Sequence, residues 1–211
     1  MSERTYSAKL RSHEYKITNR ELAVYRDRFI EESELAKRMS ELMWFKMYIL
    51  LEEFGISPYD ILSAIKDLEQ GEPGAGVKPA TQFKKMPLRG LWHKHFFSAR
   101  FLVNNMRLGL GKNGIGKLVD EVMDSAKSPI ITREMIGELI HRLTHGTIEA
   151  RSADKKLTGE WIIYLPHGEK NYYLTVASHG TGDQAIYDQI FSHCLRDFPH
   201  LAAWLKAAQA E

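Results

Sequence analysis

Apolar residues recur at helical spacing through the first seventy positions. Thr18 and Glu21 stand as a capping box, the hydroxyl three residues ahead of a glutamate that reaches back to the free backbone donors. Leu22, Tyr25 and Phe29 then share one face of a predicted helix. A second helix is predicted over 33–54, with Leu35, Met39, Leu42, Phe45 and Ile49 as its stripe and Gly55 as its stop. Ser57-Pro58 opens a third, a cap followed by proline at the first helical position, and Ile61, Leu62, Ile65 and Leu68 form its apolar face. The stretch 71–80 (GEPGAGVKPA) breaks the pattern with glycine and proline. It suggests a helical unit over 1–70, a linker or exposed loop over 71–87, and an α+β domain over 88–211.

Beyond the loop the pattern is mixed. Residues 90–108 suit a helix, although Trp92–Phe97 would equally suit a strand. Helices are predicted over 115–126 and 132–145, the second capped by Thr132. From Gly159 the period changes to two. Residues 159–165 and 171–178 alternate as strands around a hairpin-sized loop at 166–170. Trp161, Ile163 and Leu165 should face one way and Ile162 and Tyr164 the other. Because Ile162 is also apolar, both faces should be partly covered, one of them by the last helix. That helix starts at Asp183, turns Ile186, Ile190, Phe191 and Leu195 inward, and ends before Pro199, with a short helix after it. The fold class that follows is α+β, mostly helical, with a small antiparallel sheet built around a C-terminal hairpin.

Composition narrows the class only a little. Of 211 residues, 44% are hydrophobic, enough for a substantial core, and the formal charge of +2 excludes a histone-like polycation without excluding a local basic patch. Cys194 is the single cysteine, so no internal disulfide forms and nothing indicates an oxidising compartment. The polar start of the chain lacks the apolar run of a secretion signal. The run Met47–Leu51 is far shorter than the roughly 20 residues that span a bilayer. A soluble, cytoplasmic protein without membrane contact is expected.

Gly109-Leu110-Gly111-Lys112-Asn113-Gly114 has the glycine spacing of a dinucleotide loop, but that loop needs a strand before it, and here a helix precedes it. What remains is a loop whose Lys112 and Lys117, near free N–H groups at a helix start, could hold one RNA phosphate. His141 and His145 share a helix face at metal spacing, without the third ligand that a site requires. His93 and His95 would share a face only if their segment were a strand.

Seven of the nine histidines fall between 93 and 193, so acid–base chemistry is sought there. His179 follows the second strand of the hairpin, where a sheet would hold it while solvent reached it. Tyr173 and Thr175 lie two apart on that strand. Lys94, His95 and Arg100 lie close together in sequence, and Arg151 stands near a strand. Such a set can cleave RNA without a metal or other cofactor. A base takes the ribose 2′ proton, a cation steadies the crowded phosphate, and an acid protonates the leaving oxygen.

Helices followed by an antiparallel sheet, with Tyr172-Tyr173-Leu174-Thr175 leading to His179, resemble the barnase, RelE and colicin-type ribonuclease toxin superfamily. Lys94-His95-Phe96-Phe97-Ser98-Ala99-Arg100 resembles the Lys-His-x-x-x-Ala segment of colicin D-like tRNA nucleases. The resemblance spans roughly 88–198. It implies a metal-independent endoribonuclease of toxin or phage-defence type acting on cytoplasmic RNA, held in check by an antitoxin or immunity-type partner. It carries His95 and His179 over as catalytic candidates and Lys94 and Arg100 as phosphate contacts. Thr175 joins the catalytic set, and Lys112, Lys117, Arg151 and Tyr173 the substrate-binding set. Two alternatives stand beside it. One is a non-enzymatic module that binds a protein through the N-terminal helices, where Met39, Met43, Trp44, Met47 and Tyr48 crowd together. The other is a histidine-metal enzyme.

Overall fold

The computed structural model describes residues 3–10, 13–31, 33–71, 79–96, 98, 110–111, 113–124, 130–143, 160–178 and 180–210. The chain divides into two compact units, one of residues 1–97 with 159–211 and the other of residues 98–158.

The larger unit begins with a hairpin that the helical reading of the N-terminal region did not include. Strands β1 (Thr5–Leu10) and β2 (His13–Thr18) pair antiparallel, with Tyr6 opposite Ile17 and Ala8 opposite Tyr15. Tyr6 and Ile17 are buried. Thr18 closes β2 and caps α1 (Asn19–Arg26), and both hydrogen bonds of the predicted capping box are present. The second helix, α2 (Glu41–Phe54), is shorter than predicted, because Ala36–Arg38 form a single 3₁₀ turn and Ser40 is the cap. Gly55 ends it at φ 62°, where a side chain would be strained. Helix α3 (Pro58–Glu69) starts at Ser57-Pro58 as predicted.

Strands β3 (Thr81–Gln82), β4 (Trp92–Phe96), β5 (Glu160–His167) and β6 (Lys170–Ser178) form an antiparallel sheet in that order. The segment over 92–96 is therefore strand rather than helix. The predicted hairpin forms β5 and β6, joined by Gly168 (φ 55°) and Glu169 (φ 63°). A bulge leaves Leu174 unmatched, since Ile163 pairs with Thr175 while Tyr164 pairs with Tyr173. Helices α6 (Asp183–His193) and α7 (Leu201–Ala210) close the chain. These last two take their numbers after α4 and α5 of the smaller unit, below.

The hairpin's side chains alternate as the sequence predicts. Ile163 and Leu165 share a core with Leu174, Ile186, Ile190 and Leu201, and Trp161 packs at its margin. Ile162 and Tyr164 are buried on the opposite face, where α2 packs on β6 and α3 on β4. Leu195 is a correction to the predicted inward set of the last helix, being 36% exposed one residue beyond the helix cap.

This packing corrects the division expected at 71–87. Helices α2 and α3 share their core with β4–β6, so the N-terminal helices and the C-terminal hairpin are one unit. Residues 72–78 of the predicted loop lie outside the described residues. The methionine-rich crowd on α2 is core, with Met43 and Met47 at 0% exposure. A partner could not use it as a surface.

In the smaller unit, α4 (Gly114–Val122) and α5 (Arg133–His141) pack together, and Arg142 donates to Glu121 at 2.9 Å. Thr132 caps α5 as predicted. Among the described residues, no helix is long and apolar enough to cross a membrane.

Candidate functional site

Strand pairing brings imidazoles and aromatic rings to one face of β4 and β5. His93 and His95, two apart on β4, share a face, with ring centroids 5.6 Å apart. Trp161 pairs with His95 across the ladder, and its indole N–H donates to His95 Nε2 at 3.3 Å. Phe83 adds a third wall, its ring centroid 4.6 Å from His93 and 5.5 Å from Trp161. Both histidines are half-buried. An indole N–H can donate to Nε2 only while that nitrogen is unprotonated, so the contact favours the tautomer with the proton on Nδ1. Trp161, packed at the margin of the sheet core, orients the His95 ring.

Lys94 lies opposite His95 in the pleat, beside Ile162, and is 2% exposed. Thr175 is 1% exposed, and its hydroxyl donates to the Val176 carbonyl at 3.2 Å. Tyr173 is fully buried and donates to Glu69 at 2.6 Å. These three are taken up by the packing of the sheet, so a substrate could not reach them without disturbing it. Lys117 is exposed on α4 in the smaller unit. His179, Arg100, Lys112 and Arg151 lie outside the described residues, and β6 ends at Ser178. His141 closes α5, while His145 lies outside the described residues. Among the described residues, no three of His, Cys, Asp and Glu converge as a metal would require.

The structure adds a second place that sequence reasoning missed. A cleft of about 450 Å³ lies between β1, α2 and α6. Arg4, Lys46, His193 and Arg196 line it over an apolar floor of Leu42, Phe45 and Tyr6, and no carboxylate is among its lining residues. Lys46 and Ala8 also line an adjoining hollow of about 230 Å³ that runs to Glu160 and Leu10. Burial lowers the Lys46 pKa, and Glu160 opposes that shift. Burial also lowers the His193 pKa, with the nearby Arg196 and Lys46 charges adding to it. Glu41 stands behind the cleft, accepting from Arg4 Nη2 at 2.7 Å and from the Tyr6 hydroxyl. The cations come from the residue before β1, from α2 and from the turn after α6, far apart in sequence, so no local motif announced them.

No family model, no curated protein and no solved structure matches the chain.

Proposed function

We propose that the chain is a metal-independent ribonuclease of toxin or phage-defence type, whose chemistry is centred on the β4–β5 face. The observation that carries this reading is the pair His93 and His95 on one sheet face, with the Trp161 indole N–H directed at Nε2 of His95. RNA cleavage by 2′-OH attack needs a base, a donor to the phosphoryl oxygen and an acid for the leaving oxygen. His95, with its proton on Nδ1, suits the donor's part. His93 stands beside it as the base, its ring centroid 5.6 Å from that of His95. His179 keeps the acid's part that its place after β6 suggests in the sequence.

Expression in bacteria should slow growth, and purified protein should cleave RNA in the presence of EDTA. His95→Ala should lower cleavage by about a hundredfold or more while leaving the thermal unfolding transition in place. Trp161→Phe keeps an aromatic side chain and removes the donor, so it should lower the rate less and shift the pH optimum. Intact tRNA, mRNA and ribosomes after incubation with the folded protein would refute the reading.

A second reading is a binding module. It is favoured by the basic cleft, which lies away from the methionines that first suggested a docking surface.

A further inference from the structure

The cleft has an unusual wall. Four consecutive residues of β1, Thr5 to Ala8, line it together with the preceding Arg4, so the strand presents its edge as well as one face. Among the described residues its sheet has two strands, with β2 on the other side of β1. Arg4 and Asn19 form a hydrogen-bonded pair at its open end, with Asn19 N–H donating to the Arg4 carbonyl at 2.8 Å. Antiparallel pairs alternate, so Tyr6 and Ala8 also direct their N–H and C=O groups to β2. Thr5, Ser7 and Lys9 direct theirs outward, away from β2. None of these three makes a further backbone hydrogen bond among the described residues.

An open strand edge beside a cleft matches the arrangement by which proteins capture extended peptides, adding them as one more strand. The charges around the cleft select among occupants. Arg196 is exposed, and neither it nor Lys46 makes an ion pair among the described residues. Arg4 is held by Glu41 through its terminal nitrogen, while its buried Nε has no hydrogen-bond partner. Lys46 and Arg196, with no carboxylate among the lining residues, call for a negatively charged guest. A second copy of the chain fits poorly, since two-fold pairing of β1 with β1 would bring two such clusters together. A nucleic acid backbone would meet the cations, but it has no N–H groups for the outward carbonyls of Thr5 and Ser7.

The geometry points to a peptide-docking site. An extended, acidic segment of a partner protein adds antiparallel or parallel to β1, with its carboxylates on Lys46 and Arg196 and its apolar side chains over Phe45 and Leu42. The site is separate from the histidine face and does not depend on the ribonuclease reading.

The probe is a labelled, end-capped peptide alternating valine and glutamate, titrated against the full chain by fluorescence anisotropy. Binding should be saturable, and amide exchange should slow at Thr5, Ser7 and Lys9 when the peptide is bound. N-methylation of alternate peptide amides leaves the protein untouched and should weaken binding at least about tenfold in the one register that faces β1. Arg196→Glu, at an exposed position, should weaken it by a similar factor. Ser7→Pro removes an outward donor without breaking the pairing with β2, and it should abolish the exchange protection if the hairpin still melts as before. A lysine–valine peptide should not bind. No peptide binding at about 1 mM would overturn the proposal. So would binding that N-methylation does not touch, preference for an RNA oligonucleotide over the peptide at this cleft, or self-association that Ser7→Pro abolishes.

Discussion

Glu69 is the last residue of α3, and it holds that end of the helix to the sheet. It accepts from Arg38 Nη1 at 3.1 Å, from Asn171 Nδ2 at 3.1 Å and from the Tyr173 hydroxyl at 2.6 Å. Burial opposes its charge, but the Arg38, Tyr173 and Asn171 hydrogen bonds win, and its pKa is lowered. The same burial and the same carboxylate raise the Tyr173 hydroxyl far above its ordinary value. Removing the carboxylate would leave a half-buried guanidinium and a buried hydroxyl without their shared acceptor. Glu69→Ala should therefore cost about 2–4 kcal/mol. Tyr173→Phe loses one bond and should cost about 1 kcal/mol. Equilibrium urea unfolding measures both, and equal costs would show that the network does not act as one. Ile163, at 0% exposure between the sheet and α6, is the apolar counterpart. Its replacement by alanine should cost about 2–5 kcal/mol through lost burial and a cavity.

Helix α2 shows how an element is placed by its first turn. Ser40 caps it by accepting from Met43 N–H at 3.0 Å, and its hydroxyl donates to the Leu174 carbonyl at 2.5 Å. Its own N–H donates to the Tyr173 carbonyl at 2.9 Å. One serine thus ends a loop, starts a helix and fastens both to the edge of β6, at the bulge. Asp197 accepts the next N–H, from Glu41, at 2.9 Å. Burial raises the Asp197 pKa from 3.8 to about 6, although the Glu41 hydrogen bond opposes the rise. Between about pH 4 and 6 the folded protein holds a proton there that the unfolded chain has released. This group's contribution to stability therefore falls as pH rises through that window. Asp197→Asn keeps an acceptor for the Glu41 N–H and removes the titration. It should flatten the dependence of the urea midpoint on pH between about 4 and 6, and an unchanged slope would remove Asp197 from the account.

For the larger unit as a whole, helices cover both faces of a four-stranded sheet, and Cys194 lies inside that packing. Its thiol is fully buried, donates to the Leu174 carbonyl at 3.4 Å, and is pushed up to about 12 by burial. A buried, protonated thiol reacts only after the structure opens. Labelling of Cys194 in native buffer should follow the rate of global unfolding, and it should be no faster in protein saturated with an acidic peptide at β1. Rapid labelling without unfolding would place Cys194 in a locally mobile region.

The sequence by itself determined the elements whose stabilising contacts are local. The Thr18–Glu21 box, the Ser57-Pro58 start, the Gly55 stop, the Thr132 cap and the alternating hairpin each involve residues a few positions apart, so spacing alone carried them. The first hairpin was legible in principle from Tyr6, Ala8, Tyr15 and Ile17, but charged residues between them obscured the period of two. The segment around His93 and His95 was ambiguous for a physical reason. Five residues can be helix or strand, and pairing with Glu160–Tyr164, almost seventy positions away, decided it. That pairing brought Trp161 to His95, and it turned Lys94 into the sheet. Burial likewise removed Thr175 and Tyr173 from the predicted site, because residues distant along the chain close over them. Arg4, Lys46 and Arg196 meet only when β1, α2 and α6 pack, so the charge of the cleft and the open edge of β1 belong to the tertiary structure alone.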